Sequence, residues 1–185
     1  NMFINAEDED GHGMSDTQLR DEVLTMLLAG HETTANALAW TFYCVAQHPE
    51  VARKLEAELD EVLDGKAPTM EQVRQLPYTT QVLKETMRLY PPAWTVGRRA
   101  EEGDEIAGRK IPKGGLVLMS PYVLHRHPDY WENPEAFDPE RFGPDKEPPV
   151  RGSYMPFIVG PRKCIGEHFA MTEAVIMIAT LLSRF

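Results

Sequence analysis

The chain has little cysteine, a shortage of positive charge and no long apolar run, and each shortage removes a class of protein. Only Cys44 and Cys164 occur in 185 residues. They form no Cys-x-x-Cys pair and no disulfide framework, which fits a reducing compartment. Nineteen Lys and Arg face 29 Asp and Glu, and the net charge of −10 argues against a nucleic-acid partner. No stretch reaches the roughly 18 apolar residues that span a bilayer. The opening residues Asn1 to Asp10 are acidic and lack the apolar region of a signal peptide. A cytoplasmic location is expected, with a membrane anchor upstream of Asn1 left open. There is no internal repeat and no low-complexity segment. What is present, 42% hydrophobic and 26% charged residues, is ordinary for a globular protein, and the length suffices for one domain with a sizeable core.

Residues 5–14 form an acidic connector. Ser15-x-x-Gln18 then reads as a capping box that opens a helix at Asp16. No breaker follows until His48-Pro49, so the helix runs about 32 residues, or about 48 Å. It is apolar on nearly all sides (Val23 to Leu28, Ala35 to Val45), which predicts burial in a domain larger than this chain supplies. Cys44, among Phe42, Tyr43 and Val45, reads as core packing. The middle of the helix is poor helix material, with Gly30 and the β-branched Thr33 and Thr34. Two readings are open. One is a kink or widened turn where Gly30 lets a cofactor approach, with the Thr33 hydroxyl and Glu32 carboxylate at the gap. The other is a helix crossing that needs small residues.

A second helix starts at Pro49 and stops at Gly65, with Val51, Leu55, Leu59 and Val62 inward and Arg53, Lys54, Glu56, Glu58, Asp60 and Glu61 in solvent. Thr69-x-x-Gln72 opens a short helix, and Pro77 opens another that ends before Pro91-Pro92. On that last helix Glu85 and Arg88 are i, i+3 neighbours between apolar flanks. A buried pair needs further partners, and Arg141 is the candidate second guanidinium. Residues 93–119, with Trp94-Thr95-Val96, Leu116-Val117-Leu118 and turns at Ala107-Gly108 and Pro112 to Gly115, predict a small mixed sheet. Leu124 to Pro128 reads as a short helix, and its histidines at i, i+2 do not face each other as a metal pair would. Residues 128–156 are rich in proline and poor in periodicity, with Trp131, Phe137 and Phe142 as anchors. A final helix from about Gly166 to Ser183 places Phe169, Ala170, Ala174, Val175, Ile178, Leu181 and Leu182 in the core. The expected fold class is mainly α with a small β-sheet.

The stretch with the most chemistry is Phe157-Ile158-Val159-Gly160-Pro161-Arg162-Lys163-Cys164-Ile165-Gly166. Cys164 ends a Gly/Pro-broken loop at the mouth of a helix, where free N–H groups and the macrodipole favour thiolate over thiol. Such a sulfur is a ligand for a soft or redox-active metal, haem iron foremost. Gly160 and Gly166 leave room for a flat macrocycle, and Arg162 suits a carboxylate such as a propionate. The alternative is a buried structural cysteine opening a core helix.

The loop resembles the Phe-x-x-Gly-x-Arg-x-Cys-x-Gly signature of the cytochrome P-450 family of haem-thiolate monooxygenases. Three more motifs of that family stand in order: Ala29-Gly30-His31-Glu32-Thr33-Thr34, Glu85-Thr86-Met87-Arg88 and Pro139-Glu140-Arg141-Phe142. One departure is Ile158, where the family usually has a small or polar residue. The resemblance implies that residues 1–185 are one incomplete haem-thiolate domain, the C-terminal part of the fold, lacking its N-terminal part and its C-terminal hairpin. It further implies heme b (iron protoporphyrin IX) with Cys164 as axial thiolate. Phe157, Gly160, Arg162 and Gly166 frame the ligand, Gly30 lies on the opposite face, and Arg98, or its neighbour Arg99, binds a propionate. Glu32 and Thr33 relay protons in dioxygen activation. Glu85, Arg88 and Arg141 are structural, and residues 128–156 are the meander that wraps the thiolate face. The implied partners are a lipophilic organic substrate, dioxygen, and a ferredoxin, flavodoxin or flavoprotein reductase passing electrons ultimately from NAD(P)H. A local balance of +2 between Arg141 and His168 would favour an acidic donor. Two other functions stay open: a peroxide-dependent peroxygenase or isomerase, against which the Glu32–Thr33 pair speaks, and a non-catalytic chain.

Overall fold

The computed structural model describes residues 4–7 and 9–184. Its first helix, α1 (Asp16–Gln47), begins at the capping box: the Gln18 amide donates to Ser15 Oγ at 3.3 Å, and the Ser15 amide to Gln18 Oε1 at 3.0 Å. Helices α2 (Pro49–Leu63), α3 (Met70–Val73), α4 (Pro77–Leu89), α5 (Pro121–Leu124) and α6 (Glu167–Leu182) follow. The second half of α1 packs with α2, α4 and α6. Ala37, Leu59, Leu63, Leu83, Met87, Ala174, Val175 and Ile178 form one buried cluster; Val45, Val51, Leu55 and Val82 form another. No helix of the described residues is long and apolar enough to cross a membrane.

Several expectations are corrected. The first half of α1 is not buried: Val23, Leu24, Met26, Leu27 and Leu28 are 44–68% exposed. A helix apolar on all sides is covered here only where another helix lies against it, and that happens from Ala37 onward. On α6, Phe169 is 71% exposed and outside the core. It lies nine residues before the fully buried Ile178, which at about 100° per residue is the opposite side of the helix. Leu181 and Leu182 are only half-buried, and on α2 it is Leu63 rather than Val62 that is buried.

The mixed sheet is instead two antiparallel ribbons. Strand β1 (Val96–Arg99) pairs with β4 (Leu116–Met119), and β2 (Asp104–Ile106) pairs with β3 (Arg109–Ile111). Trp94 and Thr95 precede β1. A parallel pair needs a crossover of about a dozen residues, whereas the chain between β1 and β4 is consumed by the β2–β3 hairpin. That hairpin turns at Ala107 (φ 49°) and Gly108 (φ 77°). The short helix α5 ends at Leu124, with His125 at its C-cap.

Glu58 is not a solvated surface charge. Helix α4 has no side-chain cap of its own, and the Glu58 carboxylate supplies one. It accepts from the Tyr78 amide (2.6 Å), the Thr79 amide (2.8 Å) and the Thr79 hydroxyl (2.7 Å).

The Glu85–Arg88 pair is fully buried and closed by Arg141, as the sequence leads one to expect. All five N–H groups of Arg88 are used. Nε and Nη2 each donate to the Glu85 carboxylate at 2.8 Å; Nη1 donates to His125 O (2.8 Å) and Pro134 O (2.7 Å), and Nη2 also to Ala136 O (2.9 Å). Glu85 Oε1 accepts in addition from the Asp138 amide (2.9 Å) and Arg141 Nε (3.3 Å). The guanidinium also lies 5.1 Å from the Trp131 ring centroid. Residues 128–156 contain one 3-10 turn, Pro139–Phe142, and otherwise no helix or strand, so this pair replaces the backbone ladder they lack.

Two outcomes follow. Arg88→Lys should lose about as much as Arg88→Ala, roughly 3–5 kcal/mol in urea unfolding, because three donors cannot serve five acceptor positions. Recovery of most of the stability by lysine would contradict this. Separately, burial and the nearby Arg88 and Arg126 guanidinia push the fully buried His125 down to about 4, against backbone hydrogen bonds that oppose the shift. The unfolded chain then takes up a proton between about pH 6.5 and pH 4 that the native state refuses. Stability should fall as pH drops through that window, and less steeply in His125→Gln; equal slopes would refute the assignment.

Candidate functional site

The cysteine loop is held by short-range geometry. Phe157 is half-buried and packs on the cluster that joins Ala37 of α1 to Ala174, Val175 and Ile178 of α6. Its carbonyl accepts from the Cys164 amide at 2.9 Å, so the chain leaves Phe157, reverses, and returns beside it. The reversal uses Gly160 at φ 82° and a Lys163 N–H to Gly160 O bond of 3.0 Å. Ile158 stands at φ 61°, its amide donating to Met155 O at 3.0 Å. A β-branched residue in this left-handed region is an outlier, and the conformation explains why glycine suits the position. Gly166 is the N-cap of α6, and the Ala170 amide donates to its carbonyl at 2.8 Å.

Cys164 is free and exposed, in contrast to Cys44, whose thiol burial and the Glu85 charge push up to about 11. Cys44 is therefore core, as expected. Around Cys164 stand uncovered apolar side chains: Ile165 is 88%, Phe169 71% and Val159 54% exposed. Arg162 is exposed and, among the described residues, unpaired, whereas Lys163 pairs with Glu167 at 2.5 Å. Among the described residues no group of three or more His, Cys, Asp or Glu side chains is arranged to hold a bare metal ion. One sulfur beside apolar surface and a free cation instead suits an iron whose other ligands come from a flat, apolar, carboxylate-bearing macrocycle. A Cβ built on Gly30 or Gly160 would meet nothing within 4 Å, so both positions leave such clearance.

Of the two readings of the middle of α1, no widened turn is present: residues 29–34 are α-helical throughout. The Thr33 hydroxyl donates to Ala29 O at 2.6 Å, which satisfies it within the helix. Thr33 and Glu32 are both exposed, and among the described residues no hydrogen bond or ion pair joins either to the cysteine loop. The link is indirect: Ala37, one turn beyond Thr33, shares the cluster in which Phe157 is anchored.

Arg98 lies on β1 opposite Val117, exposed, its Nη1 donating to Gly97 O at 2.8 Å. Arg99 lies opposite Leu116, so the two arginines point to opposite faces of the ribbon. Glu85, Arg88 and Arg141 are brought together directly. Sequence reasoning missed Glu58, His125 and the φ of Ile158. Only the departure of Ile158 from a usually small position offered a signal.

The strain at Ile158 is testable without any ligand. Ile158→Gly should be more stable than Ile158→Ala by about 1 kcal/mol in urea unfolding, reversing the usual order of the two residues. The usual order would mean that the left-handed conformation is not held in solution.

Residues 1–185 match the family model Cytochrome P450. The chain is 46% identical over 185 residues to cyclooctatin synthase of Streptomyces melanosporofaciens, covering all of this chain and 40% of that protein. It is 43% identical over 178 residues to cyclooctat-9-en-7-ol 5-monooxygenase of the same organism, covering 96% of this chain and 39% of that one. Among solved structures it resembles a cytochrome P450DA heme domain, with a TM-score of 0.90, 37% identity, and coverage of 98% of this chain and 41% of that chain. The chain thus spans about 40% of the length of these curated relatives.

Proposed function

The chain belongs to the cytochrome P450 family, and from that premise we propose that it forms the thiolate half of a haem-thiolate monooxygenase, one part of a larger haem domain. The observation that carries this reading is the free, exposed Cys164 in a loop tied back to Phe157. Bound haem b would supply the reductive activation of dioxygen and the insertion of one oxygen atom into substrate.

The roles of the chain's own residues follow. Cys164 holds the iron as a thiolate, at a loop whose other side chains cannot compete for it. Phe157 anchors the loop, Gly160 and Gly30 leave clearance for the ring, and Gly166 keeps a Cβ, which would lie 3.8 Å from Cys164 Sγ, away from the sulfur. Arg98 and Arg162 bind the propionates, each as an exposed guanidinium. Ile165, Phe169 and Val159, which face water in these 185 residues, exclude it once a flat apolar group lies over them. On α1 the Thr33 hydroxyl donates to Ala29 O; rotated away from that carbonyl it would give its proton to the dioxygen being reduced, and the Glu32 carboxyl, one residue away and protonated from solvent, would replace that proton.

The exposed apolar half of α1 is where the rest of the domain and a lipophilic substrate would lie. The relatives' names, which refer to cyclooctat-9-en-7-ol and to pentalenene, support a lipophilic substrate. Electrons would come from a ferredoxin, flavodoxin or flavoprotein reductase, ultimately from NAD(P)H. An acidic donor draws on Lys146 and Arg151, since Arg141 and Lys163 are already paired with Glu85 and Glu167 and Arg162 is taken by a propionate.

The tests use the full-length protein. Cys164→Ala should abolish the strongly red-shifted Soret band of the reduced carbonyl complex; survival of the band removes the ligand assignment. Thr33→Ala should bind substrate normally while product formation falls by about 10²-fold and consumed dioxygen appears as peroxide. Unchanged coupling removes the proton-relay role.

A further inference from the structure

A chain of hydrogen bonds, buried from Arg88 through His125 to Met155, connects the Glu85–Arg88 pair to the Cys164 amide, and it runs through a residue outside the site described above. Arg88 holds His125 at two points. Its Nη1 donates to His125 O at 2.8 Å, and its backbone carbonyl lies 3.2 Å from His125 Nδ1. The other ring nitrogen, Nε2, lies 2.9 Å from the Met155 amide. An amide N–H can only donate, so Nε2 is bare, and the single proton of the neutral ring sits on Nδ1, donated to Arg88 O. Met155 O accepts the Ile158 amide at 3.0 Å, and the carbonyl of that same peptide unit, Phe157 O, accepts the Cys164 amide at 2.9 Å. The Phe157–Ile158 peptide is therefore gripped at both its N–H and its C=O, and Ile158 is left at φ 61°. His125 is 0% and Met155 7% exposed, so water does not substitute for the bond between them.

We propose that His125 is a positioning residue for the cysteine loop: its neutral ring carries the fixed position of the Glu85–Arg88 pair into residues 155–158, and so determines where the Cys164 amide and sulfur stand. A histidine that merely filled space beside Tyr154, whose ring centroid is 5.3 Å away, would be replaceable by phenylalanine. A relay would not be, because phenylalanine has no acceptor for Met155 N–H. Glutamine has both a carbonyl acceptor and an N–H donor, and can serve the relay.

The experiment compares His125→Phe and His125→Gln with the parent in the full-length holoprotein, by residue-resolved amide exchange and by the absorption of the reduced carbonyl complex. His125→Phe should speed exchange at Met155, Ile158 and Cys164 by about tenfold or more, with Val82 to Met87 of α4 unchanged. It should also convert much of the red-shifted Soret band to an unshifted one. His125→Gln should restore both. Parent-like exchange in His125→Phe overturns the proposal, as does a glutamine variant no better than phenylalanine. Faster exchange with the red-shifted band intact also overturns it, since the sulfur would not have moved. Only the absorption readout rests on Cys164 being the axial ligand. A parent lacking the red-shifted band would refute that reading and leave exchange to judge this one. Should His125→Phe fail to accumulate, nitrogen spectra of the labelled parent decide: a bare His125 Nε2 with scalar coupling to the Met155 amide nitrogen is expected, and a protonated Nε2 overturns the proposal.

Discussion

The desolvated bond between Glu85 and Arg88 is the constraint on which the rest of this structure depends. Both side chains are completely buried, and neither charge could be tolerated there alone. The chain from His125 to Arg141 meets their needs: three carbonyls take the free N–H groups of Arg88, and the Asp138 amide and Arg141 complete Glu85. Each side solves the other's problem. A proline-rich segment that cannot build a ladder finds partners for its carbonyls, and a buried ion pair finds partners for its donors. Arg141 adds a second tether, donating to Asn133 O at 2.8 Å.

From that point the order spreads in two directions. Through α4 the pair is joined to the four-helix core, where Leu83 and Met87 pack on α6. Through His125 and Met155 it reaches the cysteine loop, which has no regular structure of its own. Cys164 is thus exposed yet positioned: its side chain is free, while its amide belongs to a connected set of hydrogen bonds that begins in the buried core. This arrangement suits a ligand that must present one atom to a large group without moving.

Apolar surface is left open on several elements. Leu24, Leu27 and Leu28 on α1, Ile165 and Phe169 beside Cys164, and Leu116 and Leu118 on β4 are all exposed. The two errors about burial have one source. Val23 to Leu28 and Phe169 are apolar yet exposed among the described residues, and composition cannot say whether an apolar face finds its partner within the same 185 residues.

Local signals were legible in the sequence because the physics that reads them is local. Ser15-x-x-Gln18 and Thr69-x-x-Gln72 close their capping boxes as written, and Pro49 and Pro77 open helices where a missing N–H does no harm. The Glu85–Arg88 pair was legible too, from its i, i+3 spacing between apolar flanks, and Arg141 was legible through the resemblance of Pro139-Glu140-Arg141-Phe142 to the family motif. Tertiary structure alone decided the remainder. Glu58 caps a helix that begins some twenty residues later, and His125 accepts from an amide thirty residues away. It also set Ile158 at a left-handed φ and made two ribbons rather than one sheet. Hydrogen bonds between distant residues are chosen by which groups folding brings within 3 Å of each other, and spacing along the chain carries no record of that distance.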